Sequence, residues 1–210
     1  MTDDFPARRT TQSEGLATHA TRAVSAVVIV GFTLAVMWVL EIFAYVTEHR
    51  FVVTYGIEAH DVSDLSHIFT APFLHAGFDH LISNTVPFAI LGFLAALRGT
   101  AKFLGMNVIV MVVGGLGVWF LGPTGGVTVG ASILVFGYFG YLVGRGLFER
   151  RLIDILIALV VGVLYGTAIA ASVLPSNPQI SWQGHLFGLI GGVLASWTLR
   201  RRNAGFSFSL

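Results

Sequence analysis

FDHLISNTVPFAILGFLAALRGTAK, residues 78–102, decides the fold. The segment from Phe78 to Leu97 is apolar except for a few polar side chains near its front, and it stops at Arg98 and Lys102. About 20 helical residues cross the ~30 Å hydrocarbon layer of a bilayer. A run of that length closed by basic residues reads as a transmembrane helix ending at a membrane surface. His80 and Asn84 then lie inside the membrane, where polar side chains are costly and generally functional.

Five further apolar segments accompany it, near Val24–Val46, Phe103–Leu121, Ser132–Phe148, Leu152–Leu174 and His185–Leu199. The fourth and sixth of the six segments are short for a full span. Of the 210 residues, 55% are hydrophobic and 11% charged, against about 25% charged in a soluble domain. Mean hydropathy is +0.80. These values exclude a surface solvated all round, intrinsic disorder and a nucleic-acid binder relying on a basic patch. The expected fold is an all-α polytopic membrane protein with six transmembrane helices. Residues 1–22 are polar and read as a mobile cytoplasmic tail, 23–200 as the membrane domain and 201–210 as a second cytoplasmic tail. The long polar lead and the bilayer-length run behind it argue against a signal peptide. The absence of cysteine excludes a disulfide framework, a thiol nucleophile and a Cys-ligated metal.

The few charges orient the bundle. Arg8, Arg9 and Arg22 precede the first span, Arg98 and Lys102 follow the second, Arg145, Arg150 and Arg151 follow the fourth, and Arg200, Arg201 and Arg202 follow the sixth. With six spans these regions share one side, and only Arg50 lies opposite. Positive charge marks the cytoplasmic side, so both termini are expected there, in the plasma membrane. The first outer loop, Thr47 to Gly77, is long and partly apolar, as functional or embedded loops are. The second, GPTGGVTVG, is Gly-rich. The third, PSNPQISWQG, is suited to moving.

Counting outward from the basic markers gives depth. Asn84 lies 14 residues from Arg98, Ser132 lies 13 from Arg145 and His185 lies 15 from Arg200. At about 1.5 Å per residue these become ~21, ~20 and ~22 Å, one common level roughly 8–10 Å below the outer edge of the hydrocarbon. His80 is one turn above Asn84 on the same helix face. A serine, a histidine able to take its proton and two hydrogen-bond donors at one depth are the parts of a serine hydrolase. Ser132 also begins a helix, whose free N–H groups favour an anion. Gly188, Gly192 and Ser196 fall on the His185 side of the sixth helix and allow close packing. Gly137, Gly140 and Gly144 form a ridge on the fourth that points away from Ser132.

The combination Gly130-Ala131-Ser132, His80-x-x-x-Asn84 and Gly184-His185 with Gly188-x-x-x-Gly192, in six spans and in this order, resembles the rhomboid intramembrane serine proteases. The resemblance covers about residues 24–200. It implies a Ser–His dyad without an acid, with Ser132 as nucleophile and His185 as general base. Asn84, His80 and the Ser132 backbone N–H would form the oxyanion hole. His75 matches a family histidine beside the first loop. The last outer loop would cap a site opening to the outer face, and the substrates would be single-pass transmembrane proteins reached through the bilayer. Two positions depart from the pattern. Ile133 stands where Gly or Ala commonly follows the serine, and its branched side chain is expected to crowd the approach. Phe136 replaces a tyrosine that packs on the catalytic histidine.

Other readings compete. An inactive rhomboid-like protein would bind transmembrane helices without cleaving them. A transporter would need a polar path through both leaflets, and the inner halves are apolar. His60, His67, His75 and His80 match no standard metal-ligand spacing, so no metal or other cofactor is expected. His75 is read as a buried brace for the first loop. Glu41, near the outer end of the first span, is expected to snorkel or pair with Arg50, and Asp154 with Arg150 or Arg151. No nucleic-acid partner is implied, and the oligomeric state is not read.

Overall fold

The computed structural model describes residues 7–175 and 180–200. The helices in chain order are α1 (Ala7–Val46), α2 (Arg50–Tyr55), α3 (Phe78–Ala96), α4 (Thr100–Leu121), α5 (Ser132–Glu149), α6 (Leu152–Ser172) and α7 (Trp182–Thr198). The chain is a helical membrane protein. Ala17–Val46 of α1, together with α3, α4 and α6, is long and apolar enough to cross a bilayer. The short helices are α5, of 18 residues, and α7, of 17. Helix α1 begins at Ala7, so residues 7–22, expected as a tail, form the leading turns of the first helix. The expected tail at 201–210 lies outside the described residues.

Helix α5 is the centre of the bundle. It is apolar all round, as a helix with no solvated face is, and buried from Ile133 to Leu142. Its closest neighbour is α7. A Cβ on Gly192 would run into the Gly137 carbonyl, one on Gly140 into the Leu189 carbonyl and one on Gly144 into Ser196. The two glycine ridges therefore meet, backbone against backbone. Ile133, Gly137, Gly140 and Gly144 share one α5 face at helical spacing, and Ile133, not Ser132, heads it. Apolar side chains on α1 and α6, such as Phe32, Val39, Val163 and Leu164, remain exposed on the outside of the bundle, as residues facing lipid do.

The segment between α2 and α3 is structured. Strand β1 (Ile57–Glu58) pairs antiparallel with β2 (Val127–Thr128), in register Ile57 to Thr128. Two 3-10 segments follow at Val62–Phe69 and Ala71–Phe73. Asp61 caps the first through Ser63, whose hydroxyl and backbone N–H both donate to its carboxylate and hold it below the usual carboxylate range. The Trp119 indole donates to the Asp61 carbonyl at 2.7 Å, anchoring this segment to α4.

At the Arg-rich end, charged side chains bind three helices together. Arg98, just beyond the end of α3, pairs with Glu149 of α5, and Arg145 of α5 with Asp154 of α6. Arg98 also approaches Asp154 at 3.8 Å. Asp154 thus selects two arginines that reach it inside the bundle, rather than Arg150 or Arg151. A buried carboxylate needs such pairing to offset its desolvation. Glu41 likewise pairs with His49, at 3.1 Å, and Arg50 pairs with Glu48.

Since Gly192 meets backbone, no neighbouring side chain can turn away to make room. Gly192→Ala should destabilise the bundle by about 1–3 kcal/mol, read as a lower unfolding midpoint in detergent. Gly162→Ala on α6, where a Cβ meets nothing within 4 Å, should leave the midpoint unchanged.

Candidate active site

The ends of α3, α5, α6 and α7 away from the Arg-rich side enclose a cleft of about 1180 Å³. Ser132, His185, His80 and Asn84 all line it, with Phe136. The common depth read from the sequence is therefore one cavity. Pro175, Ile180 and Ser181 border it. Residues 176–179 of the expected cap lie outside the described residues.

Ser132 is the first residue of α5. Gly130 precedes it at φ 126°, a conformation that L side chains rarely adopt. A Cβ there would also meet the His80 ring at 2.6 Å, so backbone geometry and available space both require glycine. The backbone N–H groups in the first turn of α5 have no partner within the helix, and the positive end of its dipole favours an anion beside Ser132.

His185 lies in the first turn of α7. Its ring stacks on Phe136 with centroids 4.0 Å apart and planes 13° apart. Phe136 follows Ser132 by four residues, so both occupy one face of α5. The His185 Nδ1 is 3.0 Å from the Ser172 carbonyl oxygen. A carbonyl can only accept, so Nδ1 carries the hydrogen, and the neutral ring keeps its lone pair on Nε2. That nitrogen is the one equipped to take a proton. A backbone carbonyl from the end of α6 thus does for the tautomer what a carboxylate does in a triad.

Asn84 is nearly buried and donates one amide hydrogen to the His80 carbonyl at 3.1 Å. An amide carries two N–H hydrogens, so a second remains for a ligand. The His80 ring lies 5.1 Å from that of His75, edge to face. His75 is buried, and its Nε2 accepts the Ala131 N–H at 3.3 Å. It therefore braces the turn that presents Ser132. Burial lowers the His75 imidazole to about 3, with His80 acting in the same direction. Near neutral pH it is an uncharged acceptor, as this bond requires. The other two histidines of the segment diverge. His60 donates to the Phe120 carbonyl at 2.9 Å and His67 to the Gly56 carbonyl at 3.1 Å.

Ile133 does not crowd the serine. It is 2% exposed and does not border the cleft. Its Cγ2 fills the space a Cβ on Gly114 would need, and its Cγ1 packs at Gly184. A Cβ on Gly188 would meet the Ile133 backbone. One α5 side chain thus occupies the space left by glycines on α4 and α7. Its position four residues before Gly137 was the available signal for this direction. The Ser172 carbonyl carried no such signal, because a backbone acceptor has no side-chain identity.

The fold and cleft define a helical membrane protein with a serine, a tautomer-fixed histidine and amide donors around one cavity. A family model described as the Rhomboid domain matches residues 62–202. The chain belongs to the rhomboid family, whose members are generally serine proteases acting on transmembrane substrates within a membrane. It is 39% identical over 173 residues to the uncharacterized protein Rv1337 of Mycobacterium tuberculosis, covering 79% of this chain and 72% of that protein. It is 38% identical over 175 residues to the uncharacterized protein ML1171 of Mycobacterium leprae, covering 79% and 68%. It is 35% identical over 131 residues to YdcA of Bacillus subtilis, whose name calls it a candidate rhomboid protease, covering 62% and 65%.

Two outcomes follow from this packing. Gly114→Ala should destabilise the fold by about 1–3 kcal/mol, and adding Ile133→Ala should recover part of that loss, a non-additive coupling that a double-mutant cycle in detergent would measure. For His75, the unfolded ring binds a proton below about pH 6.5, whereas the folded one does so only near 3. Its contribution to stability is therefore complete above pH 6.5 and falls as pH drops towards 3. His75→Gln, which retains an acceptor, should show a shallower acid-side decline in melting temperature.

Proposed function

We propose that this chain is an intramembrane serine endopeptidase that uses a Ser132–His185 dyad on single-pass transmembrane substrates. The observation that carries this reading is the His185 ring, held by the Ser172 carbonyl on Nδ1 and stacked on Phe136, in the same cleft as Ser132. Such a ring presents Nε2 as base without an acidic third member.

In the first step His185 Nε2 takes the Ser132 hydroxyl proton while Oγ attacks the scissile carbonyl carbon. Asn84, His80 and the Ser132 N–H donate to the developing oxyanion, which exists as a full charge only in the intermediate. The C–N bond breaks, and the leaving amine takes the proton back from His185. Water, again deprotonated by His185, then hydrolyses the acyl-enzyme. Gly130, Phe136, His75 and Gly188 support this arrangement without reacting.

In the sequence, eleven of twelve Lys and Arg residues fall in the regions that six spans put on one side, which supports a cytoplasmic location for both termini. The site then opens to the outer face of the plasma membrane. Water reaches it there past polar residues that line the cleft, among them Ser83, Thr128 and Ser181. Substrate arrives laterally, and its helix must unwind locally to offer a peptide bond.

Purified protein in liposomes should cleave a model transmembrane substrate and react with a fluorophosphonate probe. Ser132→Ala and His185→Ala should abolish cleavage, and Ser132→Ala should abolish labelling. Asn84→Ala should lower kcat by about 10²-fold with a smaller effect on KM. Cleavage that persists unchanged in Ser132→Ala would overturn the assignment.

A further inference from the structure

Pro87 lies inside α3, a helix long and apolar enough to cross a bilayer. Proline has no backbone N–H, so within a helix it leaves the carbonyl four residues earlier without its usual donor. That carbonyl belongs to Ser83. The polar side chains around it bond elsewhere. The Ser83 hydroxyl donates to the His80 carbonyl at 2.8 Å, the Asn84 amide to the same carbonyl at 3.1 Å and the Thr85 hydroxyl to the Leu81 carbonyl at 2.8 Å. Carbonyls a turn earlier thus gain side-chain donors, and the Ser83 carbonyl gains none. Among the described residues, no backbone group outside α3 donates to it either.

The freed carbonyl lies on the cleft side of α3. A helical carbonyl points along the axis toward the residue four positions on. Ser83 and Pro87, the two ends of that vector, both line the cleft, with His80 and Asn84 on the same face. Ser83 is exposed and Pro87 half-buried. Backbone with an unmet hydrogen bond is tolerated at membrane depth where it is buried in protein or lines a cavity that water enters. Here it lines the cavity that holds Ser132 and His185. One wall therefore offers both polarities. Asn84 keeps an N–H that can donate, and the adjacent Ser83 carbonyl can only accept.

We propose that the Ser83 carbonyl, freed by Pro87, is a substrate-binding acceptor that takes a backbone N–H of the unwound transmembrane peptide next to the scissile bond. This rests on the protease reading above and adds a contact to it. A transmembrane helix that unwinds uncovers N–H and C=O groups that lipid cannot satisfy. The protein must then supply the partners that the substrate's own helix gives up. The oxyanion donors serve a carbonyl, and an acceptor fixed in the same wall serves an N–H. Every residue but proline carries that N–H, so the contact recognises an unwound main chain and not a side chain. A peptide that stays helical has its N–H groups already bonded and gains nothing from it. Helix α3 forgoes one of its own hydrogen bonds, and the substrate replaces it. A bond made on binding and kept through the reaction lowers KM and leaves kcat alone.

The test uses the full chain in liposomes and a synthetic single-pass transmembrane peptide. Amide bonds flanking the scissile bond are replaced by esters, which lack the N–H, one at a time. In the wild-type protein one ester position should raise KM about tenfold, as the loss of one hydrogen bond does, with kcat little changed. Pro87→Ala gives residue 87 an N–H that occupies the Ser83 carbonyl within the helix. It should raise KM for the all-amide peptide by a similar factor, and the same ester should then cost nothing more, a non-additive cycle. Fluorophosphonate labelling normalises each preparation to its content of reactive Ser132. Ser83→Ala removes the hydroxyl and keeps the carbonyl, so the ester should retain its cost there. If Pro87→Ala does not fold, Ser83→Ala decides. A flat ester series in the wild-type protein, an ester whose cost persists in Pro87→Ala, or one whose cost disappears in Ser83→Ala overturns the inference, and with labelling at Ser132 intact it overturns this inference alone. A wild-type protein that neither labels nor cleaves overturns the protease reading on which it rests.

Discussion

The close approach of α5 and α7 is the constraint on which the rest of the molecule depends. Glycine on both ridges removes the side chains that normally keep helices apart. Carbonyls of one helix then stand where the β-carbons of the other would be. In lipid there is no hydrophobic force between apolar helices, so dispersion across such a tight contact must carry the association. The contact also sets position. Ser132 and His185 each begin their helix, and both helices begin at the same end of the bundle. Locking the helices in register brings the two residues to one level without any direct bond between the side chains. Phe136 then fixes the plane of the imidazole.

The remaining helices divide into support and enclosure. Helix α4 packs closely on α7 and receives Ile133 into the space at Gly114. Helix α3 brings His80 and Asn84 to the cleft and is tied at its other end to α5 by the Arg98–Glu149 pair. The pairing of β1 with β2 joins the segment after α2 to the turn before Ser132. His75 completes that connection by accepting the Ala131 N–H. The turn before the serine is thus held from several directions. Such support is what a reacting group needs if its geometry is to be set before the reaction.

Much of this was legible in the residue order. Span lengths and basic stops identified the helices, and distance from those stops placed Asn84, Ser132 and His185 at one level. The cleft contains all three. Three features depart from the expectation, each for a separate reason. Glu41 pairs with His49 and not Arg50 because two non-glycine residues adopt left-handed turns, which composition does not announce. Asp154 reaches Arg145 and Arg98 because buried carboxylates take partners across helices, while sequence proximity favours Arg150 and Arg151. Ile133 points into the bundle because it heads the α5 face that carries Gly137, Gly140 and Gly144, a signal that lies in the helical spacing and not in the residue's place beside Ser132. Helical order follows from hydropathy, whereas side-chain direction at a helix end depends on the first turn of backbone.

The hydrogen bond to His185 Nδ1 comes from α6, a helix with Asp154, Val161 and Ile169 buried and most of its other side chains exposed. Its main support is α5, and it touches α7 only sparsely. A span that is mostly exposed therefore holds the atom that selects the tautomer of a buried histidine. If the Ser172 end of α6 moved away, Nδ1 would lose its acceptor and the ring could carry its hydrogen on either nitrogen. The proton affinity of the site is in this sense a mechanical property, set by where one helix leans.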